Sequence, residues 1–183
     1  MTVTTATTLA PIQPEDATGV AKDLLAQVQK GLGRVPNMTK VMANSPALLK
    51  SYLALSAAVS SGTIPAAVRD RLAIATAQLN GCEYCLSAHT YIGSNVSKVT
   101  ADELDSARRS DSTNPHVAAL LMLSSAIAEN AGAVDEDLMA QAREAGVTNQ
   151  EIGELVANLA LNVLTNYFNV LARVENDWPV VSL

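Results

Sequence analysis

Apolar side chains recur at helical spacing along most of this chain, in segments that begin near proline and end near glycine. The segment between Pro46 and Gly62 is typical, and its apolar face consists of Leu48, Leu49, Tyr52, Leu53 and Leu55. Aromatic residues make up only 3% of the sequence, and few stretches are dense in the β-branched residues that favour sheets. The pattern therefore predicts an all-α fold, with eight or nine helices and no strand.

The length of 183 residues indicates a single domain with a sizeable core. The first fourteen residues hold two prolines and no charged side chain, so we predict an extended arm over residues 1–14 and one compact all-α domain over residues 15–183. Asn, Ser or Gln interrupts each long apolar stretch well before about 18 residues, which predicts no membrane span. The N-terminus lacks the features of a signal peptide, and we expect a cytoplasmic protein.

The charge balance excludes several classes of partner. Twelve Lys and Arg residues against eighteen Asp and Glu give a formal net charge of −6. Proteins that bind nucleic acids usually carry a basic stripe, and membrane-surface anchors are often rich in Lys and Arg. The sequence shows neither, so we expect no nucleic-acid partner and no membrane partner.

The two cysteines, Cys82 and Cys85, are the residues with the clearest chemistry. In a helix that begins near Cys82, the side chains of Cys82, Cys85 and His89 fall within about a 60° arc, on one face. The thiolate is the reactive form of cysteine, and a histidine one turn away can act as its base. The spacing favours a thiol redox site, with a zinc site formed by the same three residues and simple core packing as the alternatives.

Two effects compete over which cysteine is the attacking thiolate. The helix N-terminus favours Cys82, but the helix dipole is worth only about 0.3–1 kcal/mol. The spacing to His89 favours Cys85, and a paired histidine can shift a cysteine pKa by several units. We therefore assign the attack to Cys85.

The segment AAVRDRLAIATAQLNGCEYCLSAHT resembles the carboxymuconolactone decarboxylase and alkylhydroperoxidase D (AhpD-like) superfamily, and its peroxidase-related branch in particular. The resemblance is specific over about residues 64–93. It implies a homo-oligomeric all-α protein, a trimer or a hexamer. It also implies a thiol-dependent peroxidase or disulfide oxidoreductase that acts on small organic hydroperoxides.

The resemblance assigns a role to each site residue. Cys85 would attack the hydroperoxide, Cys82 would resolve the product as a disulfide, and His89 would take the proton. Asp70 stands where the family usually has Glu in the proton relay. Because Asp is one methylene shorter, we expect Asp70 to reach His89 only through water, or not at all.

The resemblance implies a dithiol reductant of the lipoamide or thioredoxin type, and no bound cofactor is needed because electrons can arrive by thiol–disulfide exchange. Two other functions compete with this one. The first is a helical oligomer in which Cys82, Cys85 and His89 bind zinc. The second is a non-redox, decarboxylase-like enzyme on the same fold.

The last predicted helix carries a polar stripe at i, i+4 spacing, formed by Asn158, Asn162 and Asn166, with Asn169 one turn further on. Buried polar side chains need hydrogen-bond partners. We expect a network between helices or between subunits, and the alternative is that one of these residues lines the substrate pocket near the dithiol.

Overall fold

The computed structural model describes residues 8–183, which form nine helices and no strand. The predicted all-α class is confirmed for this part of the chain. The helices are α1 (Gly19–Leu32), α2 (Asn37–Met42), α3 (Pro46–Ser60), α4 (Ala66–Leu79), α5 (Glu83–Asn95), α6 (Ala101–Ala107), α7 (Pro115–Glu129), α8 (Glu136–Glu144) and α9 (Asn149–Ala172).

Helix α4 lies at the centre of the domain and packs against α5, α6, α7 and α9. Its buried residues include Leu72, Ile74 and Ala77, which are at most 1% exposed. The neighbouring helices contribute other fully buried side chains to the same core, such as Leu86 and Leu155. Burial of each such side chain stabilises the fold by about 1.5–3 kcal/mol, so this packing fixes the position of α5 relative to α4.

Helix α9 begins with a capping box, in which Thr148 and Glu151 exchange side-chain-to-backbone hydrogen bonds. The start of α6 has the same residue types, Thr100 and Glu103, but only half of the box forms. Thr100 caps α6, but the Glu103 carboxylate turns away and accepts hydrogen bonds from Ser112, Thr113 and Arg71.

By length and hydropathy alone, α9 could cross a membrane. It instead packs against α3, α4, α5 and α7, and it buries four asparagines together with Leu155 and Ala172. A helix that directs a polar stripe into a protein core is a core helix, so its length carries no indication of a membrane span.

Both ends of the described chain run without helix over the bundle. Ile12 and Ala10 are hydrogen-bonded to Lys40 and Asn44, near α2, while Thr8 binds the end of α9. Residues 1–7 of the predicted arm lie outside the described part of the chain. At the other end, the tail after α9 packs along α5, where the Ser87 hydroxyl binds Asn176 and the backbone N–H of Val181.

Candidate active site

The turn between α4 and α5 places both cysteines at the start of α5. Gly81 has a φ of +64°, a conformation that favours glycine, and it turns the chain away from the axis of α4. Cys82 is the N-cap of α5, and its sulfur accepts a hydrogen bond from the backbone N–H of Cys85. The two sulfur atoms are 2.6 Å apart as free thiols. The sequence-predicted helix start and dithiol geometry are both present.

The surroundings of the two thiols shift their pKa values in opposite directions. Burial raises the pKa of Cys85, but hydrogen bonds from Cys82 and Asn169, together with the charge of His89, outweigh it and lower the pKa to about 7. The pKa of Cys82 is raised, because its hydrogen bond to Cys85 and its burial both favour the neutral thiol. The arrangement therefore favours a thiolate at Cys85 and a thiol at Cys82.

Asn169 of helix α9 donates a side-chain hydrogen bond to the Cys85 sulfur. The Asn169 Nδ2 atom lies 3.1 Å from Cys85 Sγ and 3.3 Å from Met38 Sδ. Asn166, one turn earlier, also lowers the pKa of Cys85, and its Oδ1 accepts a hydrogen bond from Asn80. The stripe thus includes a residue beside the dithiol. The expected network between helices consists of the Asn166–Asn80 bond and the contacts of Asn169 with Cys85 and Met38, because Asn158 and Asn162 bond within α9.

Asp70 and His89 are in direct contact across α4 and α5. The Asp70 Oδ1 atom lies 3.1 Å from His89 Nδ1, so the shorter carboxylate reaches the imidazole without a bridging water. The other Asp70 oxygen accepts a hydrogen bond from the Ser97 hydroxyl, in the loop after α5. Asp70 fixes the orientation of His89 and leaves its Nε2 atom available to another partner.

A cavity of about 680 Å³ opens beside the dithiol. Cys85, His89 and Asp70 line it, whereas Cys82 is not among its lining residues. Cys82 is 1% exposed and Cys85 is 3% exposed, so a small molecule reaches the dithiol through this cavity and meets Cys85 first. Asn158, Asn162 and Asn169 also line the cavity, which agrees with the alternative interpretation of the asparagine stripe, that one of its residues lines a pocket near the dithiol.

Tyr52 of α3 also lines the cavity, and sequence reasoning treated it as an apolar core residue. Burial and the negative charge of the Cys85 thiolate raise the pKa of Tyr52 to about 12. The phenol therefore stays protonated over the physiological range. Among the described residues its hydroxyl has no hydrogen-bond partner, so it can donate to a molecule in the cavity.

The C-terminal tail holds the start of α5 in place. The Tyr84 hydroxyl donates to Asp177 at 2.8 Å, and Asp177 also pairs with Arg34 at the end of α1. Trp178 stacks beneath the Arg34 guanidinium at 4.5 Å and borders the cavity. Within residues 8–183, no three His, Cys, Asp or Glu side chains cluster as they would around a metal ion.

Fold and site together define an all-helical protein with a buried dithiol that faces a cavity. Residues 46–121 match the model of the carboxymuconolactone decarboxylase family. This match spans α3 to α7 up to Leu121, and it includes both cysteines, Asp70 and His89. This region of the chain is therefore similar to the carboxymuconolactone decarboxylase family.

Solved structures share the fold at low sequence identity. A peroxidase-related protein from Ralstonia eutropha JMP134, described as an alkylhydroperoxidase AhpD core, has a TM-score of 0.81 at 21% identity, over 93% of this chain and 92% of that one. A peroxidase-related protein from Silicibacter sp. TM1040 has a TM-score of 0.79 at 17% identity, over 97% of this chain and 95% of that one.

The fold also carries another chemistry. The debrominase Bmp8 has a TM-score of 0.78 at 20% identity, over 94% of this chain and 93% of that one. A variant of Bmp8 has been solved in complex with 2,3,4-tribromopyrrole. No curated protein matches this chain. Because the structural matches are below 25% identity, they establish the fold, and the activity has to be argued from the site.

Proposed function

We propose that this protein is a thiol-dependent peroxidase that reduces small organic hydroperoxides at Cys85. The observation that carries the proposal is the asymmetry of the dithiol. Cys85 faces the cavity and has a lowered pKa, while Cys82 lies behind it as a neutral thiol, with its sulfur 2.6 Å away. This is the arrangement that a peroxidatic and a resolving cysteine require.

In the first step, the Cys85 thiolate attacks the terminal oxygen of the hydroperoxide. The S–O bond forms as the O–O bond breaks, which leaves a sulfenic acid on Cys85 and an alkoxide that must take up a proton. His89, which Asp70 orients, is the proton carrier, and it accepts the thiol proton directly or through water. Tyr52, which also lines the cavity, donates a hydrogen bond to the departing oxygen.

In the second step, the Cys82 sulfur attacks the sulfenic acid. The Cys82–Cys85 disulfide forms, and water leaves with the Cys82 proton. The two sulfurs are already in contact, so this step requires little movement of the backbone at the start of α5.

A dithiol then restores the enzyme by thiol–disulfide exchange. Because the Cys85 sulfur is reached through the cavity and Cys82 is buried, we propose a slender dithiol of the lipoamide type in preference to a protein of the thioredoxin type. Equal turnover with dihydrolipoamide and with reduced thioredoxin would contradict this choice. A reducing cytoplasm supplies such donors, and we propose that location.

We also propose a homo-oligomer that covers the outer face of α9. Four apolar side chains on this face are more than half exposed: Val156, Tyr167, Val170 and Leu171. Large apolar patches on a protein surface commonly mark interfaces. Light scattering coupled to gel filtration should report a trimer or a hexamer, and Val170→Lys should reduce its mass, whereas a wild-type monomer would contradict the proposal.

The activity test is consumption of cumene hydroperoxide by the reduced protein with dihydrolipoamide in excess. We expect turnover that depends on both cysteines. Consumption that continues at the same rate in Cys85→Ser would overturn the proposal and favour a non-redox enzyme on the same fold. Stoichiometric zinc in the purified protein that is lost in Cys82→Ser would favour the metal-binding alternative.

A further inference from the structure

The α9 wall of the cavity carries two asparagines that face a largely apolar space. Asn158 and Asn162 line the cavity and are only 3% and 5% exposed. Each Nδ2 atom donates a hydrogen bond of 2.9 Å to the backbone carbonyl four residues earlier, in α9 itself. This bond turns the amide nitrogen toward the helix and the carbonyl oxygen away from it.

Those side-chain oxygens are free acceptors. Among the described residues, neither Asn158 Oδ1 nor Asn162 Oδ1 has a hydrogen-bond partner. The same is true of Asn169 Oδ1, which is buried beside Cys85. An unsatisfied buried acceptor costs about 1–3 kcal/mol, and Asn169 Oδ1 is one. The oxygens of Asn158 and Asn162 border the cavity, so a molecule in the cavity can donate to them.

The other walls determine what kind of partner fits. They are formed mainly by apolar side chains, among them Met38, Val59, Ala73, Ala88 and Ile92. A ligand that fills the cavity is therefore mostly apolar. To satisfy the asparagine oxygens it needs an O–H or N–H donor.

The spacing of the asparagines along α9 sets the distance between the O–H or N–H group of the ligand and its reacting group at Cys85. Asn162 and Asn169 are seven residues apart on α9, which corresponds to about 10 Å along the helix axis. Because Asn169 contacts the Cys85 sulfur, the Asn162 oxygen lies at about this distance from the point of reaction.

We propose that the cavity binds a mainly apolar organic molecule whose O–H or N–H group docks on the carbonyl oxygen of Asn162, about 10 Å from the group that reacts at Cys85, with the Asn158 oxygen one turn further along α9 as a second acceptor. The proposal deepens the peroxidase function, and it rests on that function in naming Cys85 as the point of reaction. A hydroperoxide that carries such a donor is then a better substrate than its methyl ether.

A matched pair of ligands tests the docking without any turnover. Isothermal titration calorimetry of the reduced protein compares 4-butylphenol with 4-butylanisole, which differ in one O–H donor. We expect the phenol to bind about five- to tenfold more tightly, as one net hydrogen bond predicts. Equal affinity for the two ligands overturns the proposal.

The variant Asn162→Leu keeps the size of the side chain and removes the acceptor. It should abolish the preference for the phenol and leave the affinity for the anisole unchanged. Asn130→Leu is the control, because Asn130 makes the same backbone bond to the residue four positions earlier but lies away from the cavity. If both Asn162→Leu and Asn158→Leu still bind the phenol more tightly than the anisole, the asparagine oxygens are not the docking site. Asn158→Leu also provides the test if Asn162→Leu does not fold.

The outcome is separable from that of the peroxidase proposal. If the protein consumes cumene hydroperoxide but binds phenol and anisole equally, only the docking proposal fails. If it prefers the phenol through Asn162 but leaves hydroperoxides intact, the docking surface stands and the peroxidase assignment fails.

Discussion

The side-chain amide of Asn169, on α9, donates a hydrogen bond of 3.1 Å to the sulfur of Cys85, on α5. These residues are 84 positions apart in the sequence. The contact supplies a donor to the attacking thiolate from a helix that carries none of the other proposed catalytic groups. It also explains why α9, although apolar on much of its surface, directs a line of amides inward.

Replacement of Asn169 by Leu should raise the pKa of Cys85. In the wild type that pKa is lowered to about 7, so the thiolate fraction and the alkylation rate increase as pH rises through 7. Without the amide donor, the pKa of Cys85 rises toward the ordinary pKa of a thiol. The alkylation rate at pH 6.5 then falls about tenfold for each unit by which this pKa rises. The measurement is the pH dependence of iodoacetamide alkylation at Cys85, followed by mass spectrometry.

Asn130→Leu is the control for that experiment, since it removes an amide distant from the dithiol. An unchanged midpoint in Asn169→Leu would mean that the amide has no effect on the thiolate.

The two cysteine variants should fail in different ways. Cys85→Ser should abolish hydroperoxide consumption, because the attacking sulfur is gone. Cys82→Ser should complete one turnover and then stop, with a sulfenic acid on Cys85 that dimedone traps. Peptide mapping locates the adduct. A dimedone adduct on Cys82 in the Cys85→Ser protein, formed at the wild-type rate, would reverse the assignment.

Asp70→Asn should slow peroxide reduction at neutral pH. The amide keeps the shape of the side chain but loses the charge that orients and supports a protonated His89, in a step where general acid–base catalysis is worth about 10²–10⁴-fold. We expect a loss of about tenfold or more in the single-turnover rate, within that range. Ser97→Ala, which removes a hydrogen bond to Asp70, should cause a smaller loss with the same pH profile. If Asp70→Asn reduces the peroxide at the wild-type rate, Asp70 has no part in the proton relay and His89 acts without it.

Tyr52→Phe should leave the fold intact and reduce the rate of the first step. The hydroxyl has no partner among the described residues, so its removal breaks no protein hydrogen bond, while the departing oxygen loses a donor. One hydrogen bond to a developing negative charge is worth about 1.5–3 kcal/mol, or on the order of tenfold or more in rate. Stopped-flow measurement of sulfenic acid formation tests this. If Tyr52→Phe and the wild type form the sulfenic acid at equal rates and have the same melting temperature, the Tyr52 hydroxyl has no role in the reaction and the side chain contributes packing alone.

The sequence predicted the features of this site that are local in the chain. Cys82, Cys85 and His89 share one helix, so helical spacing alone places them together. Asp70 required the family resemblance, and the structure adds that its short side chain reaches His89 directly.

The positions of residues that depend on tertiary packing could not be predicted from the sequence. Asn169 and Tyr52 lie far along the chain from the cysteines, and their distance from the thiolate is set by how α9 and α3 pack against α4 and α5. The i, i+4 spacing of the asparagines was the available signal for the α9 wall. Ser97 lies in a loop, where no periodicity indicates which way a side chain points.

The central claim is tested most directly by the intact mass of the protein after one equivalent of an alkyl hydroperoxide. The protein is first reduced, treated with a chelator and freed of reductant. Our account predicts a rapid loss of two hydrogens, mapped by proteolysis to a Cys82–Cys85 disulfide. An unchanged mass, with both thiols still open to alkylation, would contradict it.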